Sequence, residues 1–211
     1  MNRVVVPEIL DELSYDDPRA IRSRRDLKLV NWFMRGQSWI LKELDELVGS
    51  GGVKRIVELG AGDGGMISAC CGKFSKVECI AVDLIPRPVG VHGDVYWHEG
   101  DLFEYEGYEE GTVVIANLFL HHLLEDQLKA LGEKAKSIKA FLCAEPYRAT
   151  VPLYFGKVIY PFINDVTRHD MVVSIKAGFK QAELPYLLGD HFDWKEEKGL
   201  FGGIRMKGVA P

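Results

Sequence analysis

A glycine-rich turn between an apolar strand and a helix sets the strongest limit on the folds available to this chain. Residues 55–59 are apolar enough for a buried strand, and the turn that follows carries Gly60, Gly62, Gly64 and Gly65. Glycines are needed where the backbone turns sharply and a ligand packs against it, because a Cβ atom would fill that space. The turn therefore predicts a ligand-binding connection between the first strand of a sheet and a helix.

Short apolar strands alternate with helices after this turn. Predicted strands cover residues 77–82, 95–98, 112–116 and 140–144, and predicted helices cover residues 66–71 and 123–137. Such alternation is typical of a parallel sheet with right-handed crossovers. Two extended runs, 191–197 and 201–207, are joined by residues 198–200 and predict a closing antiparallel hairpin. The predicted fold is a doubly wound, Rossmann-like α/β domain with a mostly parallel seven-stranded sheet and helices at the N-terminus.

The region before the sheet is predicted to be helical, because apolar residues recur at helical spacing over residues 18–48. Asp17 can cap the first turn, and Pro18 suits the first helical position, where its missing N–H is not needed. We expect Gly36 to separate two helices. A basic cluster at residues 19–28 is interleaved with acidic residues, so we interpret it as a solvated helix face.

Charge and composition disfavour several classes of function. The 211 residues carry a formal net charge of −5, which disfavours a nucleic-acid partner. No apolar segment is long enough to span a bilayer, and the acidic residues near the N-terminus do not resemble a secretory signal. The four cysteines have no spacing suited to zinc, so we expect no metal and interpret them as buried side chains in a reducing cytoplasm.

The glycine turn fits two ligand-binding patterns at once. Gly60, Gly62 and Gly65 give G-x-G-x-x-G, which is the fingerprint of dinucleotide-binding proteins. Together with Glu58 and Gly64, the same turn gives E-x-G-x-G-x-G, the pattern of S-adenosylmethionine enzymes. An acid at the end of the second strand would bind ribose hydroxyls in either case. The turn by itself therefore leaves an NAD(P)-dependent oxidoreductase open.

Four segments together resemble the class I methyltransferases, and the resemblance extends over residues 53–210. Residues 57–64 resemble the first motif of that family, and residues 81–83 resemble its second. Residues 100–102 resemble the acidic motif beside the adenine, and residues 117–123 resemble the segment that passes the methyl donor. The resemblance implies S-adenosyl-L-methionine as the cofactor. It implies the following cofactor-binding residues: Glu58, Gly60, Ala61, Gly62, Gly64, Asp83, Leu84, Asp101, Leu102, Asn117 and Leu118.

Candidate catalytic residues follow the fourth and fifth predicted strands. A phenol has a pKa near ~10, so a base in contact with it would help, and histidine titrates in the useful range. His121 and His122 lie where such a base would be, and we prefer His121, with packing or helix capping as the alternative role. Glu145 is a candidate second base or a partner for a histidine. His169 belongs either to an ion pair that braces the site or, with residues 168–170, to an exposed charged turn.

Residues 145–146, 165–170 and 174–179 resemble a bacterial group of methyltransferases that act on small molecules, which we associate with polyketide, phenol or quinone modification. Aromatic walls with a few polar groups suit a flat apolar acceptor, although aromatic residues at helical spacing are as often part of a core. The candidate substrate-pocket residues are Trp32, Tyr147, Arg148, Tyr154, Tyr160 and Arg168. The resemblance implies methyl transfer to a small aromatic acceptor at oxygen.

This interpretation divides the chain into two parts. Residues 1–50 are expected to form a helical cap, either as a lid over the cofactor or as packing against the sheet. Residues 51–211 are expected to form the methyltransferase domain, with an acceptor-side insertion near 146–185. The alternatives are C- or N-methylation of a small molecule, a non-catalytic cofactor-binding interaction protein, and an NAD(P)-dependent oxidoreductase. No partner beyond a small-molecule acceptor is predicted.

Overall fold

A computed structural model describes residues 1–14, 16–199 and 201–211. Within those residues, the strands form one seven-stranded sheet in the order β3-β2-β1-β4-β5-β7-β6. The strands are β1 (Arg55–Leu59), β2 (Glu78–Asp83), β3 (Tyr96–Glu99), β4 (Thr112–Asn117), β5 (Ala140–Pro146), β6 (Asp193–Lys198) and β7 (Gly203–Val209). Only β7 runs antiparallel to both of its neighbours among these strands. The predicted doubly wound sheet with an antiparallel hairpin is confirmed, although Leu200 of the predicted connection lies outside the described residues.

The helices pack on both faces of the sheet and above the carboxyl ends of its strands. They are α1 (Ile9–Glu12), α2 (Pro18–Met34), α3 (Gly36–Gly49), α4 (Gly65–Lys73), α5 (Glu125–Lys134), α6 (Thr150–Ile159), α7 (Asp165–Ala177) and α8 (Glu183–Leu188). Two short 3₁₀ turns cover Leu120–His122 and Tyr160–Phe162. Apolar side chains of α3 and α4 form the core on one face, and those of α5 and α8 form the core on the other.

The central strands are apolar on both faces because helices cover both sides of the sheet. In β1, Val57 and Leu59 belong to the core beneath α5 and α8, whereas Ile56 belongs to the core beneath α3 and α4. The neighbouring strand β4 is buried over Thr112–Ala116, as its β-branched residues predicted. Strand order reverses between β1 and β4, and this is the place where open α/β sheets bind ligands.

The two N-terminal helices are confirmed, and the break between them has a packing reason. The Asp17 carboxylate accepts a hydrogen bond from the Arg19 N–H and caps α2. Arg35 ends that helix in the left-handed region, with a φ of 55°. A Cβ atom on Gly36 would lie 2.6 Å from the Asn117 Oδ1 atom and 2.9 Å from the Ala144 Cβ atom. Glycine at this position therefore allows the start of α3 to pack closely against the ends of β4 and β5.

Most of the predicted insertion is helical. Asn164 caps α7 by accepting a hydrogen bond from the Thr167 N–H at 2.9 Å. The alternative that residues 168–170 form an exposed charged turn is wrong, because these residues lie within α7 and Asp170 is buried. All four cysteines are buried and reduced, as predicted. Within the described ranges, no helix is long and apolar enough to cross a membrane.

Candidate functional site

The glycine turn lies between β1 and α4 with its backbone in left-handed conformations. Gly60, Gly62 and Gly64 have φ values of 64°, 55° and 70°, a region in which only glycine is unstrained. A Cβ atom on Gly60 would lie 2.0 Å from the ring of Phe119. A Cβ atom on Gly62 would meet no atom of the described residues within 4 Å. The turn is therefore closed against the protein at Gly60 and open at Gly62.

Glu58 fastens the last part of β1 to the first turn of α4. Its Oε2 atom accepts a hydrogen bond of 2.8 Å from the Ile67 N–H, and the side chain is buried. Burial raises the pKa of Glu58 well above 4.5, against the opposing effect of the Ile67 hydrogen bond. Because it positions the helix that follows the glycine turn, Glu58 supports the shape of the turn from below.

Asp83 orders the turn from the end of β2. Its Oδ2 atom accepts a 2.7 Å hydrogen bond from the Gly62 N–H, and its Oδ1 atom accepts one of 3.1 Å from the Ile85 N–H. Leu84 is exposed beside it. At the end of β3, Asp101 accepts a hydrogen bond from the Phe103 N–H, and Leu102 is buried in the core. The two acids predicted from the sequence thus lie at the carboxyl ends of neighbouring strands.

Asn117 ends β4 with a buried oxygen atom that lacks a partner. Its Nδ2 atom donates a 3.0 Å hydrogen bond to the Asn31 Oδ1 atom on α2. Its Oδ1 atom is buried and accepts no hydrogen bond from the part of the chain that the structure describes. Leu118, the next residue, has a φ of 55°, which is strained for a branched side chain. Buried polar atoms without a partner are rare, and a bound water, ion or ligand is one explanation for them.

Helix α2 covers the glycine turn and the end of β4. Lys28 Nζ lies 2.9 Å from Asp63 Oδ2 in the glycine turn. Asn31 bonds Asn117, and the Met34 carbonyl accepts a hydrogen bond from Arg205 in β7. Lys28 is exposed, as the solvated basic helix face predicted from the sequence requires, and its ammonium group reaches the candidate cofactor site.

His121 is buried between two carboxylates. Its Nδ1 atom lies 2.7 Å from Glu145 Oε2, and its Nε2 atom lies 3.6 Å from Glu8 Oε1. Glu145 also accepts hydrogen bonds from the Phe119 and Leu120 N–H groups. Burial lowers the pKa of His121, but the hydrogen bond to Glu145 and the nearby Glu8 outweigh burial and raise that pKa to about 9. His121 is therefore a cation at neutral pH, hydrogen-bonded to Glu145 through Nδ1 and facing Glu8 with Nε2.

His122 is more accessible than its neighbour and carries no charge at neutral pH. Its side chain is 29% exposed, with Nδ1 3.6 Å from Asp11 Oδ2 and Nε2 4.0 Å from Glu8 Oε1. Burial, together with the charge of His121, lowers the pKa of His122. Neutral His122 can accept a proton directly, whereas His121 would first have to lose one. Which histidine serves as a base stays a prediction.

His169 lies on α7, away from the His121 and His122 pair in sequence but joined to the same N-terminal segment. Its Nδ1 atom lies 2.9 Å from Asp170 Oδ1, and its side chain is 51% exposed. The Asp170 carboxylate also accepts hydrogen bonds from the Ile9 and Leu10 N–H groups. Asp170 therefore anchors α1, which carries Asp11 and follows Glu8.

The candidate substrate-pocket residues fall into different environments. Trp32 and Tyr154 are each 69% exposed. Arg168 donates a hydrogen bond to the Tyr160 carbonyl, and Tyr147 contacts the ammonium group of Lys198 at 4.6 Å. Arg148 is buried and donates to the carbonyls of Met1 and Gly178 and to Glu183. Their roles in acceptor binding stay predictions, and Arg148 has a full set of structural partners.

Sequence reasoning missed the N-terminal residues that approach the site, above all Arg3, Glu8 and Asn31. The Arg3 guanidinium donates to the carbonyls of His121, Leu123 and Ala177. No local pattern in the sequence identifies these residues, because each has its partners more than 80 positions away. Two surface clefts lie elsewhere, at the amino ends of β2 and β6, and contain none of the predicted site residues.

Comparisons with known proteins give structural matches alone. No protein-family model matches the sequence, and no curated protein matches it either. The plantazolicin methyltransferase BpumL, in complex with a desmethylPZN analog and SAH, is similar with a TM-score of 0.72 and 10% identity over 93% of this chain and 91% of that one.

Two further solved structures are similar to this chain. Magnesium protoporphyrin IX methyltransferase from Synechocystis PCC 6803, with bound SAH, has a TM-score of 0.61 and 14% identity, over 93% of this chain and 96% of that one. A putative O-methyltransferase from Nostoc punctiforme PCC 73102 has a TM-score of 0.61 and 14% identity, over 99% of this chain and 64% of that one. At such identities, the likeness establishes the fold.

Proposed function

We propose, since the chain has the class I methyltransferase fold, that it transfers a methyl group from S-adenosyl-L-methionine to a small aromatic acceptor at oxygen. One observation carries the proposal: the glycine turn is open at Gly62, directly where Asp83 meets it at the strand-order reversal. A ligand with an adenosine part and an amino-acid part has polar groups that match the protein groups on the two sides of Gly62.

The residues present fit such a donor. Asp83 offers carboxylate oxygens to ribose hydroxyls, in addition to its bond with the Gly62 N–H. The buried Asn117 Oδ1 atom, which has no partner among the described residues, can accept a hydrogen bond from the ammonium group of the methionine part. Asp101, exposed at the end of β3, can accept from the adenine amino group. Each of these groups lies at a carboxyl end of a strand, on one edge of the sheet.

The bound donor would supply a methyl group on a sulfonium sulfur, which is a good leaving group. The protein then has to align donor and acceptor, enclose them and take a proton from the acceptor. The glycine turn and Asp83 align the donor. Helix α2 encloses it, because Lys28 pairs with Asp63 and Asn31 accepts a hydrogen bond from Asn117. Water exclusion at this position favours transfer to the acceptor over side reactions.

The acceptor is proposed to bind beside α2, which covers the glycine turn, with α6 supplying a second aromatic side chain. Trp32 on α2 and Tyr154 on α6 expose aromatic side chains, which suit a flat apolar molecule. The acceptor proton is proposed to go to His122, whose lowered pKa keeps it neutral. The alternative base, His121, would first have to lose the proton that its raised pKa retains at neutral pH.

The test of the donor is thermal unfolding with S-adenosylhomocysteine, S-adenosylmethionine, NAD and NADP in parallel. A ligand at ~100 times its dissociation constant adds ~2.7 kcal/mol of stability, which corresponds to a shift of roughly 5–10 °C for a domain of this size. We expect the shift with both adenosyl ligands, reduced in Asp83→Asn and unchanged in Asp193→Asn, an exposed aspartate of β6. A shift with a nicotinamide dinucleotide alone would overturn the proposal.

The test of catalysis is an acceptor screen of phenols and quinones with radiolabelled donor. Incorporation of label into a phenol supports oxygen methylation, and label on carbon or nitrogen would replace that part of the proposal. Donor binding without transfer to any acceptor, combined with unchanged function of a His121→Gln/His122→Gln variant in cells, would favour a non-catalytic cofactor-binding protein.

A further inference from the structure

The Nε2 atoms of two neighbouring histidines face the same carboxylate oxygen. Glu8 Oε1 lies 3.6 Å from His121 Nε2 and 4.0 Å from His122 Nε2. The two imidazole ring centroids lie 4.3 Å apart. One ligand-type atom of each of these three residues lies within 4.8 Å of the others. Two imidazoles and one carboxylate are a common protein ligand set for zinc.

The other nitrogen of each imidazole faces a second carboxylate. His121 Nδ1 lies 2.7 Å from Glu145 Oε2, and His122 Nδ1 lies 3.6 Å from Asp11 Oδ2. Metal-binding histidines generally donate from the nitrogen that does not bind the metal to a carboxylate or carbonyl, which fixes the tautomer and the ring orientation. Both imidazoles therefore have an outer carboxylate and an Nε2 atom turned toward Glu8.

The two distances from Glu8 are close to those between neighbouring ligands of a tetrahedral zinc site, and the two histidine ligand atoms lie within 4.8 Å of each other. Zinc–ligand bonds of roughly 2.0–2.2 Å place neighbouring ligand atoms roughly 3.4 Å apart. Bringing Glu8 Oε1 to this distance from His121 Nε2 and from His122 Nε2 therefore requires movements of roughly 0.2 and 0.6 Å. Such movements are within the reach of a side-chain torsion. The present separations of 3.6 and 4.0 Å are too long for hydrogen bonds, so binding an ion would break no short hydrogen bond at either Nε2 atom. Glu8 Oε1 also accepts a hydrogen bond from the Ser174 hydroxyl, which holds this oxygen in place beside the two rings.

The charges around this cluster also favour a cation. The carboxylates of Glu8, Glu145 and Asp11 surround the two imidazoles. Buried carboxylates are costly unless they are paired or coordinate a metal. His122 and Asp11 are the most exposed members of the cluster, and they give an ion a path from solvent.

We propose that Glu8, His121 and His122 bind one divalent ion of the zinc type. The ion fastens the N-terminal segment, defined here as residues 1–12, to the 3₁₀ turn that follows β4. Glu8 is supplied by that segment and both histidines are supplied by the turn. Bound metal would displace the proton from His121 Nε2 and occupy both Nε2 atoms, so the base role proposed for His122 applies to the metal-free protein. The inference does not depend on the proposed methyl transfer.

The experiment measures zinc per chain after the protein is loaded with zinc chloride and dialysed into metal-free buffer. We expect one zinc ion per chain in the wild type, visible absorption on replacement by Co²⁺, and faster proteolysis of the N-terminal segment after chelation. Glu8→Gln and His122→Gln are each expected to weaken zinc affinity by about a hundredfold or more. His92→Gln is the matched control, because His92 belongs to the other three-residue candidate group, with Cys71 and Asp94.

Several results would overturn the proposal. The first is a wild type that retains no stoichiometric zinc. The second is retention that survives both Glu8→Gln and His122→Gln, and the third is loss of zinc in His92→Gln alone. The two test variants remove ligands from different segments. Circular dichroism identifies a variant that does not fold, and zinc retention by the other variant then decides the test. S-adenosylhomocysteine binding is measured on the same samples, which separates failure of the metal site from failure of the proposed function.

Discussion

Lys28 Nζ lies 2.9 Å from Asp63 Oδ2, and this contact joins helix α2 to the glycine turn. The side chains are 72% and 40% exposed, and exposed ion pairs contribute about 0–1 kcal/mol to stability. The pair can therefore open without unfolding the domain. Because the pair lies across the edge of the sheet where the donor is proposed to bind, it connects α2 to the proposed donor site.

Lys28→Ala is expected to weaken S-adenosylhomocysteine binding by about two- to fivefold, because α2 is then held less firmly over the glycine turn, and to lower the free energy of unfolding by no more than about 1 kcal/mol. Isothermal titration calorimetry measures the change. Lys42→Ala is the control, since Lys42 forms a similarly exposed pair with Glu46 within α3. Equal effects of the two substitutions on ligand affinity would show that α2 does not cover the bound donor.

Glu58→Gln is expected to become more stable relative to the wild type as the pH rises. Burial raises the pKa of Glu58 well above 4.5, so between the two values the native state holds a proton that the unfolded chain releases. The stability of the wild type therefore falls as the pH rises from 4.5 through the raised pKa, whereas a glutamine side chain adds no such dependence.

Urea unfolding across a pH series, without donor, measures this difference. The control is Glu104→Gln, a change at an exposed glutamate, for which the curve should stay parallel to that of the wild type. A Glu58→Gln curve that also runs parallel to the wild type would show that the Glu58 pKa is not raised in the folded protein.

Glu145→Ala is expected to lower the free energy of unfolding by about 3–5 kcal/mol, because it leaves a buried imidazolium without its partner. It also removes the acceptor for the Phe119 and Leu120 N–H groups. Glu145→Gln should lose less, since the amide oxygen still accepts from those groups. Denaturant unfolding provides the values, with Glu106→Ala, at an exposed partner of Lys134, as the control. A loss within 1 kcal/mol for Glu145→Ala would contradict a charged His121.

Arg148→Ala is expected to destabilise the fold by about 3–5 kcal/mol, because Glu183 would lose its partner and two carbonyls would lose their donor. Arg148→Lys should recover part of the loss, since an ammonium group cannot make the same fork of hydrogen bonds. Thermal unfolding measures both, and Arg22→Ala, on the exposed face of α2, is the control. Unchanged stability together with a raised KM for an acceptor would instead place Arg148 in the substrate pocket.

The fold could be predicted well because its signals are local in the chain. The glycine turn, the apolar strand before it and the helix after it lie within about 20 positions, so backbone conformation and periodicity are visible in one window. The β-branched residues of β4 and the extended runs at the C-terminus are likewise visible within a short window of the sequence. The predicted bounds of the strands differ from the observed bounds by one or two residues at most ends.

The environment of the site residues depended on the tertiary structure. The sequence identified His121, His122 and Glu145, but their charges and partners are set by Glu8 and Asp11, more than 100 positions away. The 168–170 segment was expected either as an ion pair or as an exposed turn, and it is a helical segment whose Asp170 anchors the backbone of α1. A side chain's pKa follows from burial and from the charges that surround it, and neither is encoded near it in the chain.

The order of the strands and helices and the position of the glycine turn could be predicted before the fold was known, because each depends on residues that are neighbours in the chain. The folded chain was needed to see that α2 covers that turn and that the N-terminal segment meets the histidines after β4. Both contacts join segments far apart in the chain, for example Asn31 with Asn117. Such contacts form only when the packed sheet brings those segments together.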